Sequence, residues 1–491
     1  MQRIHLRLLS LLCLVLFPAA ALAHVGSRDV FEQVNAGPYK LFVTVRVPAV
    51  IPGLARVEVK SSGARADAIG ISSALMATAA LTRPAQTPML RNAGDPASFG
   101  GNVWLSAAGS WEIRFAISGV GGERTVAVPV PAVAQSNMTT ERSLAFTLGM
   151  LALLLLIGAV SITAASLRDA RSTTDKAAAR TPRLRALAGG AAALAAVALL
   201  IWSGTAWWSG GQTGYRPLGL KPVLEGNQLN LNVITYPASN KAGPSRPNDD
   251  FLPDHGHLMH LYMIRWPQMD AVFHLHPVQA TAGDFRISLP AMPGGEYRLF
   301  GDIVHRNGFP ETLVASLKIP ADMPGGPLGV DDAEGRPQPL NRGMLGAECR
   351  LPDGYVMIWD RPAVVTADTA YSFRFRLLDP QGLPVKDMQP YLGMAGHAAF
   401  VKTDGTVFAH THPEGSAAMA AMMLAQNNSS GGIGMAMNMA MHSEPMAMDS
   451  HLISNVVEFP YGFPSRGRYR IFIQMKHGTT VETGTFDTIV K

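Results

Sequence analysis

Two stretches of the chain carry the same histidine frame, and that repetition limits the fold more than any other feature of the sequence. The first runs His260, thirteen residues, His274-Leu275-His276-Pro277, then Tyr297-Arg298-Leu299-Phe300 with His305 eight residues after the tyrosine. The second runs His397, twelve residues, His410-Thr411-His412-Pro413, then Tyr469-Arg470-Ile471-Phe472 with His477 again eight residues on. A frame that returns at matched spacing implies a duplicated folding unit. The texture around it has period two, over 228–236, 297–318, 371–377 and 469–476, which is the pattern of half-buried antiparallel strands. Short strands broken by Gly and Pro favour β-sandwiches of immunoglobulin-like type. Two such units are expected at 220–320 and 346–491, joined by a Pro/Gly-rich linker at 321–345.

The frame also carries the chemistry. Residues two apart on a strand share a face about 6.5 to 7 Å apart, so His274 with His276, and His410 with His412, present paired imidazoles. Neutral imidazole suits copper, zinc and nickel. One site is therefore expected from His260, His274, His276 and His305, and a second from His397, His410, His412 and His477. His255 and His257, in Asp254-His255-Gly256-His257, read as an exposed loop offering auxiliary ligands at most, with no counterpart in the second copy.

The second unit has an insertion at 415–450. Nine methionines lie between Met419 and Met448, including Met435, Met437, Met439 and Met441 at alternate positions, followed by His442. Thioethers are soft and neutral and select Cu(I) over harder cations. Flexible, polar surroundings argue against burial as the reason for their density. Metal held by methionine alone is expected to survive at pH 5, whereas imidazoles with an ordinary pKa of about 6.5 lose theirs to protons. Clustered cysteine is missing, which excludes zinc-finger and iron–sulfur chemistry; Cys349 reads as a small buried hydrophobe, with copper ligation as the alternative.

Charge and hydropathy locate the chain. The net charge of +5 is more than accounted for by Arg3 and Arg7 and by 168–185, where six Lys/Arg stand against Asp169 and Asp175; the remainder is slightly negative, so no nucleic-acid footprint remains. Residues 1–23 read as a secretory signal ending in Ala21-Leu22-Ala23, which would leave His24 as the mature N-terminus. The apolar stretches 143–167 and 186–208 are each long enough to cross a bilayer, and the basic loop 168–185 between them marks the cytoplasmic side. Both flanking segments then face outward from the inner (cytoplasmic) membrane. Residues 24–134 alternate in the same β pattern, as in Tyr39, Leu41, Val43, Val45 and Val47. His24 offers an α-amine and a ring nitrogen to one metal ion.

The start His24-Val25-Gly26 followed by a Pro-rich β-domain resembles small periplasmic copper carriers of the CopC type. Leu258-Met259-His260 with His274-Leu275-His276-Pro277, and Tyr391-Leu392-Gly393 with Gly396-His397 and His410-Thr411-His412-Pro413, resemble bacterial exported YtkA-like and FixH-like modules. The resemblance implies immunoglobulin-like folds and a copper-linked role outside the cytoplasm.

The expectation is thus a mainly β protein: three immunoglobulin-like sandwiches and a two-helix transmembrane hairpin. It would bind copper, as Cu(I) or Cu(II), for sequestration, delivery or resistance, with zinc suited to the same histidines. Its partners would be the membrane, the metal ion and a copper-requiring membrane or periplasmic protein. Support for maturation of a membrane oxidase is the alternative. No G-x-S-x-G, Walker, Rossmann or H-E-x-x-H pattern occurs, so no enzymatic reaction is implied.

Overall fold

The computed structural model describes residues 29–133, 217–235, 246–429 and 453–491, with scattered helical residues between 147 and 204. The signal segment, His24, the basic loop 168–185, Met435, Met437, Met439, Met441 and His442 lie outside the described residues. The chain is mainly β and divides into two compact units. Residues 134–216 and 236–246 make one of them. Its described residues between 147 and 204 are helical, and Leu151, Leu154, Leu155, Ile157, Ile162, Leu199 and Trp202 are exposed on it. Among the described residues no helix is long and apolar enough to cross a membrane; the expected spans 143–167 and 186–208 are described only in part.

The other unit holds three two-sheet sandwiches. In the first, the strands Val30–Ala36, Tyr39–Arg46, Gly53–Gly63, Asp95–Leu105 and Leu90–Asn92 form one sheet in that order, and Thr87–Pro88, Ala66–Leu75, Gly109–Gly119 and Arg124–Ala132 form the other. Alternate residues such as Leu41, Val43, Ile113 and Phe115 meet in the core between them. That is the period-two pattern read from the sequence.

Each histidine repeat is likewise two sheets. In the first repeat, β1 (His260–Arg265) lies between β2 (Val272–Leu275) and β3 (Gly295–His305), all antiparallel. In the second, β4 (His397–Lys402) lies between β5 (Phe408–Thr411) and β6 (Gly467–His477) in the same way. A four-stranded sheet covers one face of each set. Leu261, Met263, Phe273 and Leu299 point into the first core, and Ala398, Phe400, Ala409 and Ile471 into the second.

The other face of each set is buried too, because the two histidine sheets pack on each other. Tyr262, Ile264, Val272 and Phe300 of the first repeat meet Ala399, Val401, Phe408 and Phe472 of the second in one apolar cluster. Phe300 and Phe408 stack with ring centroids 4.3 Å apart and planes 3° from parallel. Residues of alternate parity along one strand thus serve two different cores. His260 and His397 begin their strands on the parity that faces the other repeat.

Two connecting segments carry structure of their own. Within the linker 321–345, Ala333–Gly335 adds a strand beside β2, and the Asp331 carbonyl accepts the Tyr391 hydroxyl of the second repeat at 2.9 Å. The insertion begins with a helix, α1 (Met419–Ser429), rather than with a flexible loop. Ala, Met and Leu are strong helix formers, and burial explains part of its methionine content. Met422 packs into the N-terminal core, Ala420 and Ala421 against Leu252 and Val304, and Ala425 against Met76 and Ala127. Asp254 of the first repeat caps it, its Oδ1 accepting the Ala420 N–H at 2.9 Å in the first turn.

Candidate metal centre

β1 and β2 pair so that Tyr262 lies opposite His274. His260, two residues before Tyr262, and His276, two after His274, are then on one face. The three ring nitrogens converge: His260 Nδ1 lies 3.1 Å from His274 Nε2 and 3.2 Å from His276 Nε2. The second repeat builds the same arrangement. His397 Nδ1 lies 3.0 Å from His410 Nε2, and His412 completes a group whose ligand atoms are all within 4.8 Å of one another. A tetrahedral ion with metal–nitrogen bonds of about 2.0 to 2.1 Å holds its ligand atoms about 3.3 Å apart, so the observed spacing suits such an ion.

The outer nitrogen of each ring settles which nitrogen bears the proton. His260 Nε2 donates to the Asp254 carbonyl at 3.0 Å, His274 Nδ1 to Gln474 Oε1 at 2.9 Å, and His276 Nδ1 to Asp332 Oδ1 at 3.0 Å. In the second triad His397 Nε2 donates to the Tyr391 carbonyl at 3.2 Å, His412 Nδ1 faces the Ala417 carbonyl at 3.4 Å, and His410 Nδ1 faces Asp302 Oδ2 at 3.4 Å. The outer partners of His260, His274, His276 and His397 are acceptors, so each of these neutral rings points an unprotonated lone pair inward. Three lone pairs meeting without a proton repel one another. A cation at their common point converts that repulsion into ligation, and acceptors behind the rings are how ligating imidazoles are oriented.

Protonation does not relieve the crowding near neutral pH. Burial pushes His260 down to about 4 even though the Asp254 carboxylate opposes the shift, and burial with the neighbouring His255 holds His412 at about 3. Burial likewise holds His274, His276, His397 and His410 well below the ordinary histidine value, reinforced by neighbouring imidazoles. Asp302 is pushed up to about 7 by burial and, after the opposing Thr312 hydrogen bond, by Asp254.

The two triads share a single interface. His274 and His410 have ring centroids 5.3 Å apart, and His260 and His410 5.4 Å. Expecting one separate site per sandwich missed this contact between them.

His305 and His477 join neither triad. His260 pairs with Asp302 and His397 with Gln474 across the strands, and His305 and His477 stand three residues further on. An odd offset turns a side chain to the opposite face. His305 is instead held by Asp250 at 2.6 Å and Glu311 at 2.9 Å, and His477 by Glu482 at 3.2 Å with the Tyr355 ring stacked on it. His477, Glu482 and Asp353 form a separate group of three.

The residues that spacing passed over are His255 and His257. Neither sits in an exposed loop: the His255 ring is 4.8 Å from that of His412, and the His257 ring 4.2 Å from that of His276. The His-x-His spacing of Asp254-His255-Gly256-His257, three residues before His260, was the available signal. Cys349 packs beside the second core, its Sγ accepting the Thr485 N–H at 3.4 Å.

Comparison with known proteins adds a partial match. Residues 349–491 match a family described as a domain of unknown function, DUF8832. No curated protein matches. Among solved structures, Salmonella alpha-2-macroglobulin reacted with methylamine is 7% identical at a TM-score of 0.19, over 93% of this chain and 24% of that one. The native conformation of E. coli alpha-2-macroglobulin gives 8% identity and a TM-score of 0.22, over 94% and 23%. The D1–D4 ectodomain fragment of ICAM-5 gives 8% and 0.17, over 93% and 77%. This chain therefore spans about a quarter of the length of the alpha-2-macroglobulins it is compared with.

Proposed function

We propose that the chain is an exported, membrane-anchored copper-binding protein whose two histidine repeats hold metal at their shared face. Three immunoglobulin-like sandwiches would lie outside the cytoplasm, anchored by helices at 143–167 and 186–208. The observation that carries this reading is the inward convergence of unprotonated imidazole nitrogens at 3.1 and 3.2 Å, with the outer N–H of each ring donated to Asp254, Gln474 or Asp332. The apolar side chains exposed on the helices of the other unit support the anchor. Copper is favoured over zinc by the methionines that follow the second triad in sequence, since thioether sulfur attracts Cu(I) and offers Zn(II) little. Sequestration, delivery or resistance suits sites made of neutral ligands that hold a metal without an evident acid/base partner on a substrate.

The test is elemental analysis and X-ray absorption on the full chain purified from membranes. Copper at about 2.0 Å from imidazole nitrogen is expected, lost when His274 and His410 are both changed to Ala. Zinc in place of copper would leave the site and overturn the metal; an unchanged metal content in the double variant would overturn the site.

A further inference from the structure

The two repeats share a turn just before the leading histidine. Asp254 bridges His257 in the first and Tyr391 bridges Met394 in the second. Backbone φ is 51° at His255 and 52° at Leu392, then 84° and 78° at the glycines that follow. In each turn the carbonyl of the first residue accepts the Nε2–H of the leading histidine six residues later. The left-handed backbone therefore belongs to the turn, and the difference lies in the side chain: Leu392 in one copy, His255 in the other.

The His255 ring reaches across to the other repeat's triad. Its centroid lies 4.8 Å from His412 and 5.3 Å from His397, against 6.0 Å from His260 of its own repeat. His255 Nε2 is buried and meets no hydrogen-bond partner among the described residues. His412 Nε2 is in the same condition, on a residue only 3% exposed. The two rings and the Asp254 carboxylate offer ligand atoms within 4.8 Å of one another, and Asp254 Oδ1 is already committed to the Ala420 N–H. His257 differs: its ring lies 32° from parallel against His276, and its Nε2 faces Asp331 at 3.4 Å, so it packs on the first triad instead of converging with it.

We infer that His255 is recruited as the fourth ligand of the ion held by His397, His410 and His412: its ligand atom already lies within 4.8 Å of His412, though not of all three rings, so its side chain closes on the ion when the ion is bound, and this ion bonds to both sandwiches while the ion at His260, His274 and His276 has three protein ligands. The inference rests on the reading that the triads bind metal. It makes the two sites chemically different. Four imidazoles close a tetrahedral ion against exchange, whereas three leave a position through which a ligand can enter or an ion can leave.

The experiment titrates Zn(II) into the full chain against a chromophoric chelator. Zn(II) is the probe because thioethers scarcely bind it, which keeps the methionines out of the count. His260→Ala and His397→Ala are each expected to lower the count by one ion relative to the natural chain. His255→Leu, which installs the residue of the equivalent turn, should keep the count and weaken one ion by at least the roughly 10- to 100-fold that loss of an outer-shell partner costs. In the His255→Leu/His260→Ala double variant the weakened ion should be the one that remains. His255→Asn, suited to left-handed backbone, guards against a folding defect and should weaken the same ion. Unchanged affinities in both His255 variants, or weakening of the ion that His260→Ala removes, would overturn the assignment while leaving the triads standing. Counts unchanged by His260→Ala and His397→Ala alike would overturn metal binding by the triads, and the assignment with it.

Discussion

Gln474, on the second sandwich, accepts the Nδ1–H of His274 on the first at 2.9 Å. Asp302, on the first, stands 3.4 Å from Nδ1 of His410 on the second. Gln474 and Asp302 occupy the same place in their repeats, each directly across the strand from the leading histidine, His397 or His260. Each triad is therefore oriented in part by the other sandwich.

Gln474→Ala is accordingly expected to weaken metal at His260, His274 and His276, although the residue belongs to the other repeat. Loss of an outer-shell partner typically costs about 10- to 100-fold in affinity. Gln474→Glu keeps the acceptor and should restore most of it. Competition titration reads both variants, and equal loss in the two would show that Gln474 acts through packing alone.

Acid should destabilise the metal-free protein before it strips the metal. His260 and His412 have folded values of about 4 and about 3 against an unfolded value of about 6.5, with burial as the main cause. Below pH 6.5 the unfolded chain takes up protons that the folded one refuses. The stability these groups contribute is thus full above pH 6.5 and falls as pH drops toward 4. The Tm of the apo chain should fall between pH 7 and pH 5. Metal on the triads should persist over that same range, which reverses the sequence-based expectation that histidine-held metal weakens at pH 5.

Since pH is not expected to separate imidazole from thioether ligation here, the choice of metal must. Changing Met435, Met437, Met439, Met441, Met446 and Met448 to Leu preserves volume and apolarity. Cu(I) stoichiometry should fall while Zn(II) stoichiometry stays constant. A Cu(I) count unchanged by the six substitutions would reduce these residues to filler.

Phe408 is fully buried between the repeats and stacks on Phe300. Phe408→Ala should cost about 3 to 5 kcal/mol in chemical denaturation. The same variant should weaken metal at both triads, because the sheets that carry them lose their registry. A stability loss with unaltered metal affinity would show that the histidines hold their geometry without the apolar contact.

Much of this was written into the sequence, and the omissions have physical causes. Period two located the strands and put His274 and His276 on one face. The same rule, applied to Tyr297 and His305, would have placed both on the core face, because eight is even; matched spacing alone suggested a ligand. The segments His260-Leu261-Tyr262-Met263-Ile264 and His397-Ala398-Ala399-Phe400-Val401 are uninterrupted apolar runs behind a histidine. Such runs mean burial on both faces, and hence a second layer over the histidines. What no periodicity contains is which surface supplies that layer. The partner of each triad is about 140 residues away in the chain, beyond any pattern read in a local window.

The exchange between Gln474 and Asp302 has the form of a two-fold homodimer contact, in which residue i of one subunit meets j of the other while j meets i. Here both halves share one polypeptide. Two separate subunits would have to be identical, and their sites would match. Joined copies are free of that constraint, and they diverge at positions beside the two triads: His255 against Leu392 in the turns, Asp302 against Gln474 behind the rings. A symmetric interface has in this way become a directional one, with two neighbouring sites that need not hold an ion equally tightly.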